Sequence, residues 1–385
     1  GRETVGDIDI VASAARRNWN KIMNRFVRFE KVASVLARGE TRTSVLLSNL
    51  NTQVDLRLVE KDAFGAALLY FTGSREHNIR LRMLARDRGW KLNEYGIFDA
   101  TTEKRLAAEK EEDIYQLLGL DFIAPELRED RGELDLAAKG KLPKLLTEKE
   151  MRGDMHVHSE WSDGADSIEA LAKHVIANFP HYDYIVITDH SPSERIAHGL
   201  KESDFLKQFK EIDAVNRKLG KNFIKKGVEL DILADGNLDL PDELLAQFDW
   251  VTASIHSGFG HDNTARLLKA CEHPLVHCLG HPSGRLIGQR EAYPINWDLL
   301  FEKALAFKTV IEINAQPLRL DLSDMLVKAA VEKGLYLSIS TDAHALSQLE
   351  FMKLGIAVAR RGYCSAQNII NTHPWKWVVS YKKTG

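Results

Sequence analysis

Asp154-Met155-His156-Val157-His158-Ser159-Glu160-Trp161-Ser162-Asp163-Gly164 is the stretch from which the fold is read. It opens as a short apolar alternation, the pattern of a strand, and closes in Ser-Asp-Gly, the pattern of a turn. Side chains alternate across a strand with a period of two, so His156 and His158 share one face. Two imidazoles on one face, with the Asp163 carboxylate on the loop that follows, are the beginning of a metal site. A lone His-x-His pair is equally the mark of two ordinary surface or core histidines, and the choice between them rests on the chain downstream.

From residue 151 onward, apolar stretches at 154–158, 184–188, 223–229, 250–254, 275–280, 309–314 and 336–340 alternate with amphipathic ones. Helices are expected at 168–178, 205–219 and 322–333. Such alternation predicts a parallel α/β architecture, and seven repeats over this length suit a barrel better than an open sheet. Each strand ends in polar chemistry. The first is followed by His156, His158 and Asp163, and the second by Thr188-Asp189-His190. Glu229-Leu230-Asp231, Ile255-His256-Ser257, Gly280-His281-Pro282, Glu312-Ile313-Asn314 and Thr341-Asp342-Ala343-His344 follow in order. The C-terminal ends of the strands hold the active site of an α/β barrel. A satisfied core histidine accounts for any one of these residues but not for the series. Nitrogen and oxygen donors without thiolate suit Zn, Mn or Fe.

That ordered set resembles the polymerase and histidinol phosphatase (PHP) family over all of 151–385. The resemblance implies a distorted (β/α)7 barrel with a trinuclear centre of divalent ions, Zn or Mn. It implies that His156, His158, Glu229 and Asp342 bind one ion. Glu229 would bridge to a second ion, completed by His256 and His281, while Asp163, His190 and His344 would hold the third. Arg285 and Arg319 follow the fifth and sixth strands, where they could grip phosphate oxygens, with solvated or salt-bridged arginines as the alternative.

The beginning of the chain carries a second pattern. In Gly6-Asp7-Ile8-Asp9-Ile10 a strand places the two carboxylates on one face and packs the isoleucines on the other. Carboxylates held this close bind a cation or carry a raised pKa. A basic helical segment is expected from about Arg16 to Ala37. Gln53-Val54-Asp55-Leu56-Arg57-Leu58-Val59 is a further strand, with Asp55 and Arg57 on one face. Three carboxylates on two strands are what a two-metal phosphoryl-transfer site requires.

Gly-Asp-x-Asp, Val-Asp-x-Arg, Tyr70-Phe71-Thr72-Gly73-Ser74 and Leu92-Asn93-Glu94-Tyr95-Gly96, in that order, resemble the palm and thumb of family X DNA polymerases. On that resemblance Asp7, Asp9 and Asp55 are catalytic and hold Mg or Mn. Tyr70, Phe71 and Gly73 contact the sugar of the incoming nucleotide, and Asn78 and Arg82 contact nucleotide and template. The family's triphosphate grip, a Gly-Ser segment and an arginine, comes just before the counterpart of Gly1-Arg2-Glu3-Thr4, with the fingers earlier still. The expectation is therefore a partial, N-terminally shortened α+β nucleotidyltransferase palm and thumb over 1–105. Deoxynucleoside triphosphates are partners only where the preceding segment is present. Residues 106–150 are charge-rich and read as a linker with a helix or two docked on its neighbours, followed by the PHP barrel over 151–385.

Charge is unevenly spread. Residues 1–100 hold 17 Lys+Arg against 12 Asp+Glu, and 151–385 hold 26 against 30. The first part suits a polyanion and the second suits cations. No apolar run approaches the ~20 residues needed to cross a bilayer, so no membrane partner is expected. Three cysteines without a Cys-x-x-Cys pair fit a reduced, cytoplasmic protein. The functional expectation is a metal-dependent 3′-to-5′ exonuclease acting on DNA, attached to a polymerase core. The alternatives are a small-molecule phosphomonoesterase of the histidinol-phosphatase type and a non-catalytic platform that positions DNA.

Overall fold

Residues 2–48 and 51–381 are described by the structure, a computed structural model. They fall into two units, Gly1–Leu142 and Pro143–Gly385.

In the first unit, β1 (Asp7–Ser13), α1 (Trp19–Val27), β2 (Val32–Arg38), β3 (Arg42–Leu47) and β4 (Gln53–Val59) come first. The strands form one sheet in the order β1-β4-β3-β2. β1 pairs parallel with β4, with Asp9 opposite Asp55. Trp19 and Met23 of α1 pack on Leu56 and Leu58 of β4, so alternation turns Asp55 and Arg57 to the other face of the sheet. The basic helix is shorter than expected. It stops at Val27, and Val32–Arg38 runs as a strand antiparallel to β3, because pairing of a Val-rich segment outweighs its weak helical pattern. Ile8 and Ile10 do not pack as expected: on the edge strand β1 they stay 39% and 41% exposed.

The first unit continues through α2 (Phe64–Thr72), α3 (Arg75–Arg86), β5 (Trp90–Asn93), β6 (Gly96–Asp99), β7 (Arg105–Ala107), α4 (Glu111–Leu117) and α5 (Glu133–Ala138). The stretch read as a linker is divided. Its two helices pack inside this unit, where Ile114 and Tyr115 are fully buried. They are held by His77, whose Nδ1 lies 2.7 Å from Glu133 Oε1 and whose Nε2 lies 2.8 Å from the Tyr115 hydroxyl. From Pro143 the chain belongs to the second unit.

The second unit runs β8 (Gly153–Val157), α6 (Ile168–Asn178), β9 (Tyr184–Ile187), α7 (Glu202–Leu219), β10 (Ile224–Asp231), α8 (Asp242–Leu245) and β11 (Trp250–Ser254). It then runs α9 (Thr264–Glu272), β12 (Cys278–Leu279), α10 (Trp297–Ala306), β13 (Val310–Asn314), α11 (Asp324–Glu332), β14 (Leu337–Ser340), α12 (Met352–Arg361) and α13 (Trp375–Tyr381). All seven strands are where the sequence places them, each beside its neighbour in chain order. The pairings are parallel. The sheet nearly closes into a barrel, through a backbone bridge from Val157 to Ala343. Buried on both faces, its strands read as apolar runs, as parallel strands do.

Candidate metal centre

Every strand of the barrel delivers polar side chains to the same end. His156 comes from β8 and His158 from just past its end, both buried. Asp163 follows on the loop, where Gly164 is required: a Cβ there would lie 2.6 Å from the His158 carbonyl oxygen. His281 and Asp342 sit just past β12 and β14 with φ of 26° and 52°. This left-handed backbone is uncommon outside glycine and is held only where the surroundings enforce it.

Glu229 is the hub. Its Oε2 lies 3.2 Å from His156 Nε2 and 3.2 Å from His190 Nδ1. Its Oε1 lies 3.3 Å from His256 Nε2 and 2.7 Å from His281 Nε2. His156, His158, Glu229 and Asp342 bring four ligand atoms within 4.8 Å of one another, the set expected for one ion. His158, Asp163, His190 and His344 make another such group, which contains the set expected for the third ion and adds His158. His190, Glu229 and His256 make one more. These groups hold eight of the nine expected ligand residues; at the expected second ion His190 stands with Glu229 and His256 where His281 was expected, and His281 joins only through its contact with Glu229. The structure adds that His158 faces two groups at once, with Nε2 3.0 Å from Asp342 and Nδ1 3.8 Å from Asp163.

The donor set fits divalent cations. His156 Nε2, His158 Nδ1 and His190 Nδ1 are buried without a hydrogen-bond partner among the described residues, each facing a carboxylate. Buried polar atoms are ordinarily paired, so several orphaned imidazole nitrogens around carboxylates mark a place for cations. Three of the histidines are anchored through Nδ1. His156 Nδ1 is 2.8 Å from Glu312, His256 Nδ1 is 2.6 Å from Asp231, and His344 Nδ1 is 2.8 Å from the Asp342 carbonyl. Each acceptor fixes the proton on Nδ1 and aims Nε2 inward. These partners escaped the sequence reading. The available signal was spacing, since Glu229 and Asp231, like Glu312 and Asn314, share a strand face at i and i+2.

The electrostatics divide the histidines. Burial, reinforced by the neighbouring His344 and His190, pushes His158 down to about 3 and keeps it neutral. Burial alone would lower His256, but Glu229 and Asp231 outweigh it and push it up to about 10. Burial likewise opposes, and Asp163 and Asp342 override it, at His344, which is pushed up to about 9. In cation-free protein these two hold protons at neutral pH. Their pairing with carboxylates stabilises the fold fully below about pH 6.5 and is lost as pH rises through 9 to 10. A divalent ion must displace those protons. Mn²⁺ binding is therefore expected to release protons and to tighten as pH rises from 6 to 8. Calorimetric titration in two buffers of different ionisation enthalpy checks this: identical heats in both would show that no proton leaves.

The expected phosphate-gripping arginines take different places. Arg285 Nε donates to the Arg319 carbonyl at 2.9 Å and its guanidinium also meets the Leu320 carbonyl, so it braces the loop after β13. Arg319 reaches the centre, with Nε 3.7 Å from Asp342.

Comparison with known proteins agrees with this geometry. The PHP domain family matches residues 154–310, and the DNA polymerase beta thumb family matches residues 67–129. The chain is 40% identical over 386 residues to the DNA polymerase/3′-5′ exonuclease PolX of Bacillus subtilis, covering 99% of this chain and 67% of that protein. The chain belongs to the bacterial PolX family. Its barrel is a PHP phosphoesterase domain and is metal-dependent. A probable phosphatase of Caldicellulosiruptor bescii is 29% identical over 171 residues, covering 42% of this chain and 66% of that protein. A ternary complex of Leishmania infantum polymerase beta aligns over 32% of this chain and 62% of that one, with 24% identity and a TM-score of 0.29.

The polymerase-like residues of this PolX family member lie in the first unit. Burial raises the pKa of Asp9, and Asp7 and Asp55 push it the same way. Burial would also raise Asp55, but hydrogen bonds from Ser44, Arg42 and Gln53 hold it low. Tyr70 and Phe71 end α2, and Gly73 caps it with φ 71°. Asn78 Nδ2 donates to the Tyr70 carbonyl at 2.7 Å, and Arg82 Nε donates to the Asn78 carbonyl at 3.3 Å. The Arg57 guanidinium stands 5.1 Å over the Phe71 ring, which ties these residues to the strand that carries Asp55.

Proposed function

We propose that the barrel is a metal-dependent phosphodiesterase that shortens DNA from its 3′ end. The observation that supports it most is the convergence of five imidazoles and two further carboxylates around Glu229 at the mouth of the barrel. A relative that matches nearly the whole chain is named a polymerase and 3′-5′ exonuclease. A polymerase-like first unit in the same chain argues for DNA as the shared substrate.

In this reading His156, His158, Glu229 and Asp342 hold one divalent ion, Glu229, His256 and His281 a second, and Asp163, His190 and His344 a third, Zn or Mn. Ions held there would supply a hydroxide nucleophile at neutral pH and offset charge on the phosphate. The protein's own part is positional. Glu312, Asp231 and the Asp342 carbonyl fix the tautomers of three histidines, and Glu229 spans the sets. Arg319 orients a non-bridging phosphate oxygen, and Arg285 supports the loop that carries Arg319. Asp7, Asp9 and Asp55 would bind Mg or Mn, with Tyr70, Phe71, Gly73, Asn78 and Arg82 around a nucleotide. Deoxynucleoside triphosphates become partners where the triphosphate-gripping segment is present. Among the described residues no helix is long and apolar enough to cross a membrane. The buried thiols Cys271, Cys278 and Cys364 suit the reducing cytoplasm.

The test is cleavage of a 5′-labelled single strand and a primer-template with Mn²⁺, comparing wild type with Asp342→Ala and assaying histidinol phosphate in parallel. A ladder shortening from the 3′ end that disappears in the variant is expected. Phosphate release from histidinol phosphate with DNA untouched would sink the DNA reading and favour the phosphomonoesterase suggested by the probable phosphatases.

A further inference from the structure

Helix α1 and its flanks present a row of cations that the first unit does not neutralise. Arg17, Lys21, Arg25 and Arg28 are spaced by four, four and three residues, and all are exposed. Residues four apart share a helix face and stand about 6 Å apart along its axis. Like charges at this spacing repel and weaken a helix. Among the described residues none of the four takes part in an ion pair, although other arginines of the same unit do. Asn20 and Asn24 lie between them, and Arg38 Nη2 reaches both amide oxygens, at 3.3 and 2.5 Å. With Phe29 and Glu30 the four cations and the two asparagines line an open groove of about 800 Å³.

The inner side of the helix says where this groove lies. Trp19 and Met23 rest on Leu56 and Leu58, so α1 covers the sheet face opposite Asp55. A strand lying in the groove is therefore not the strand held at the aspartates. The outer face is polar: Ile22 and Phe26 pack inward against the same cluster. Phe29 is the exception, 53% exposed beside Arg28. A bilayer surface calls for an apolar stripe under the cations, which this helix turns inward. Regularly spaced guanidinium and ammonium groups with carboxamides between them, and one aromatic face at the end, suit a phosphate chain whose bases can stack.

We propose that this groove binds a single nucleic-acid strand through its phosphates, as a second contact on the face of the first unit opposite the aspartates. The proposal rests on the reading of DNA as substrate. A bound strand would be gripped by Arg17, Lys21, Arg25 and Arg28, with Phe29 against a base.

The test uses the full chain and a fluorescein-labelled oligothymidylate of about 30 nucleotides, long enough for several such contacts. Affinity is measured by anisotropy between about 50 and 200 mM salt for wild type, Lys21→Gln/Arg25→Gln/Arg28→Gln and Lys139→Gln/Lys141→Gln. Glutamine is a good helix former, and thermal melting of each variant confirms folding. Single-strand contacts contribute a slope of roughly 0.7 each, so the triple variant is expected to flatten the plot of log affinity against log salt by about 2. An unchanged slope in the triple variant overturns the proposal, as does an equal loss per charge in the Lys139/Lys141 variant, which would mean diffuse attraction. Loss of binding to phosphatidylglycerol vesicles with the DNA slope intact would also overturn it and assign the face to a membrane. The 3′-end ladder assay on the same preparations keeps the readings apart. A wild type that makes no ladder fails as an exonuclease, whereas a wild-type ladder with an unchanged slope in the variant fails the groove alone.

Discussion

Glu229→Ala is expected to lower 3′-end cleavage by about a thousandfold or more, a larger loss than any other single change at the centre. The reason lies in how many groups depend on this carboxylate. It lies between 2.7 and 3.5 Å from His281, His156, His190, His256 and His158. Its removal takes a ligand from two expected ion sites and the counter-charge from histidines whose protons it helps to hold. Breaking a buried charge pair by deleting one partner costs about 3–5 kcal/mol, so the alanine variant should also melt earlier when cation-free. Glu229→Gln separates the two effects, since it keeps the volume and loses the charge. Bound metal measured by elemental analysis, together with single-turnover cleavage, checks the expectation. A Glu229→Gln protein with full metal content and a rate near wild type would refute the role given to this residue.

Chelation is expected to have the second largest effect. Exhaustive treatment should abolish cleavage, and Mn²⁺ should restore it. A ligand present at about 100 times its dissociation constant stabilises the folded state by about 2.7 kcal/mol, which for a unit of this size corresponds to a fall in Tm of about 5–10 °C on removal. The fall should be steeper above about pH 10, where neither His256 nor His344 still holds the proton that substitutes for a cation. Unchanged melting and unchanged cleavage after chelation would mean that the imidazole cluster is structural.

Much of this was legible in the residue order, for a physical reason. In a parallel barrel the C-terminal strand ends all face one mouth, so polar residues just past apolar runs must converge. That made His156, His190, Glu229, His256, His281 and Asp342 readable without coordinates. What the order of residues did not disclose depends on register between strands. Glu312 meets His156 across 156 positions of sequence, and nothing local marks that pairing. His158 likewise stands between two groups because of how β8 lies against the loops of other strands. Arg285 looked available for phosphate, yet its donors are taken by carbonyls of a distant loop. Near the beginning of the chain, basic residues at helical spacing suggested a long helix, and the strand Val32–Arg38 emerged because β3 was there to pair with it.

The near-closure of the barrel gives the centre one more part to play. β8 and β14 lie at opposite ends of the strand order. They meet along a short seam, where His158 N donates to the Ala343 carbonyl at 2.9 Å and Thr341 N donates to Asp154 at 3.1 Å. His156 and His158 stand on one side of that seam, and Asp342 and His344 on the other. An ion shared between them would be a clasp fastening the first barrel strand to the last, across 184 positions of chain. Contacts so remote in sequence are the slowest to form, since the intervening loop must close before they bring any gain. Such a clasp would fasten only when the whole barrel has been threaded, so the proposed phosphodiester chemistry would begin no earlier than the completed fold.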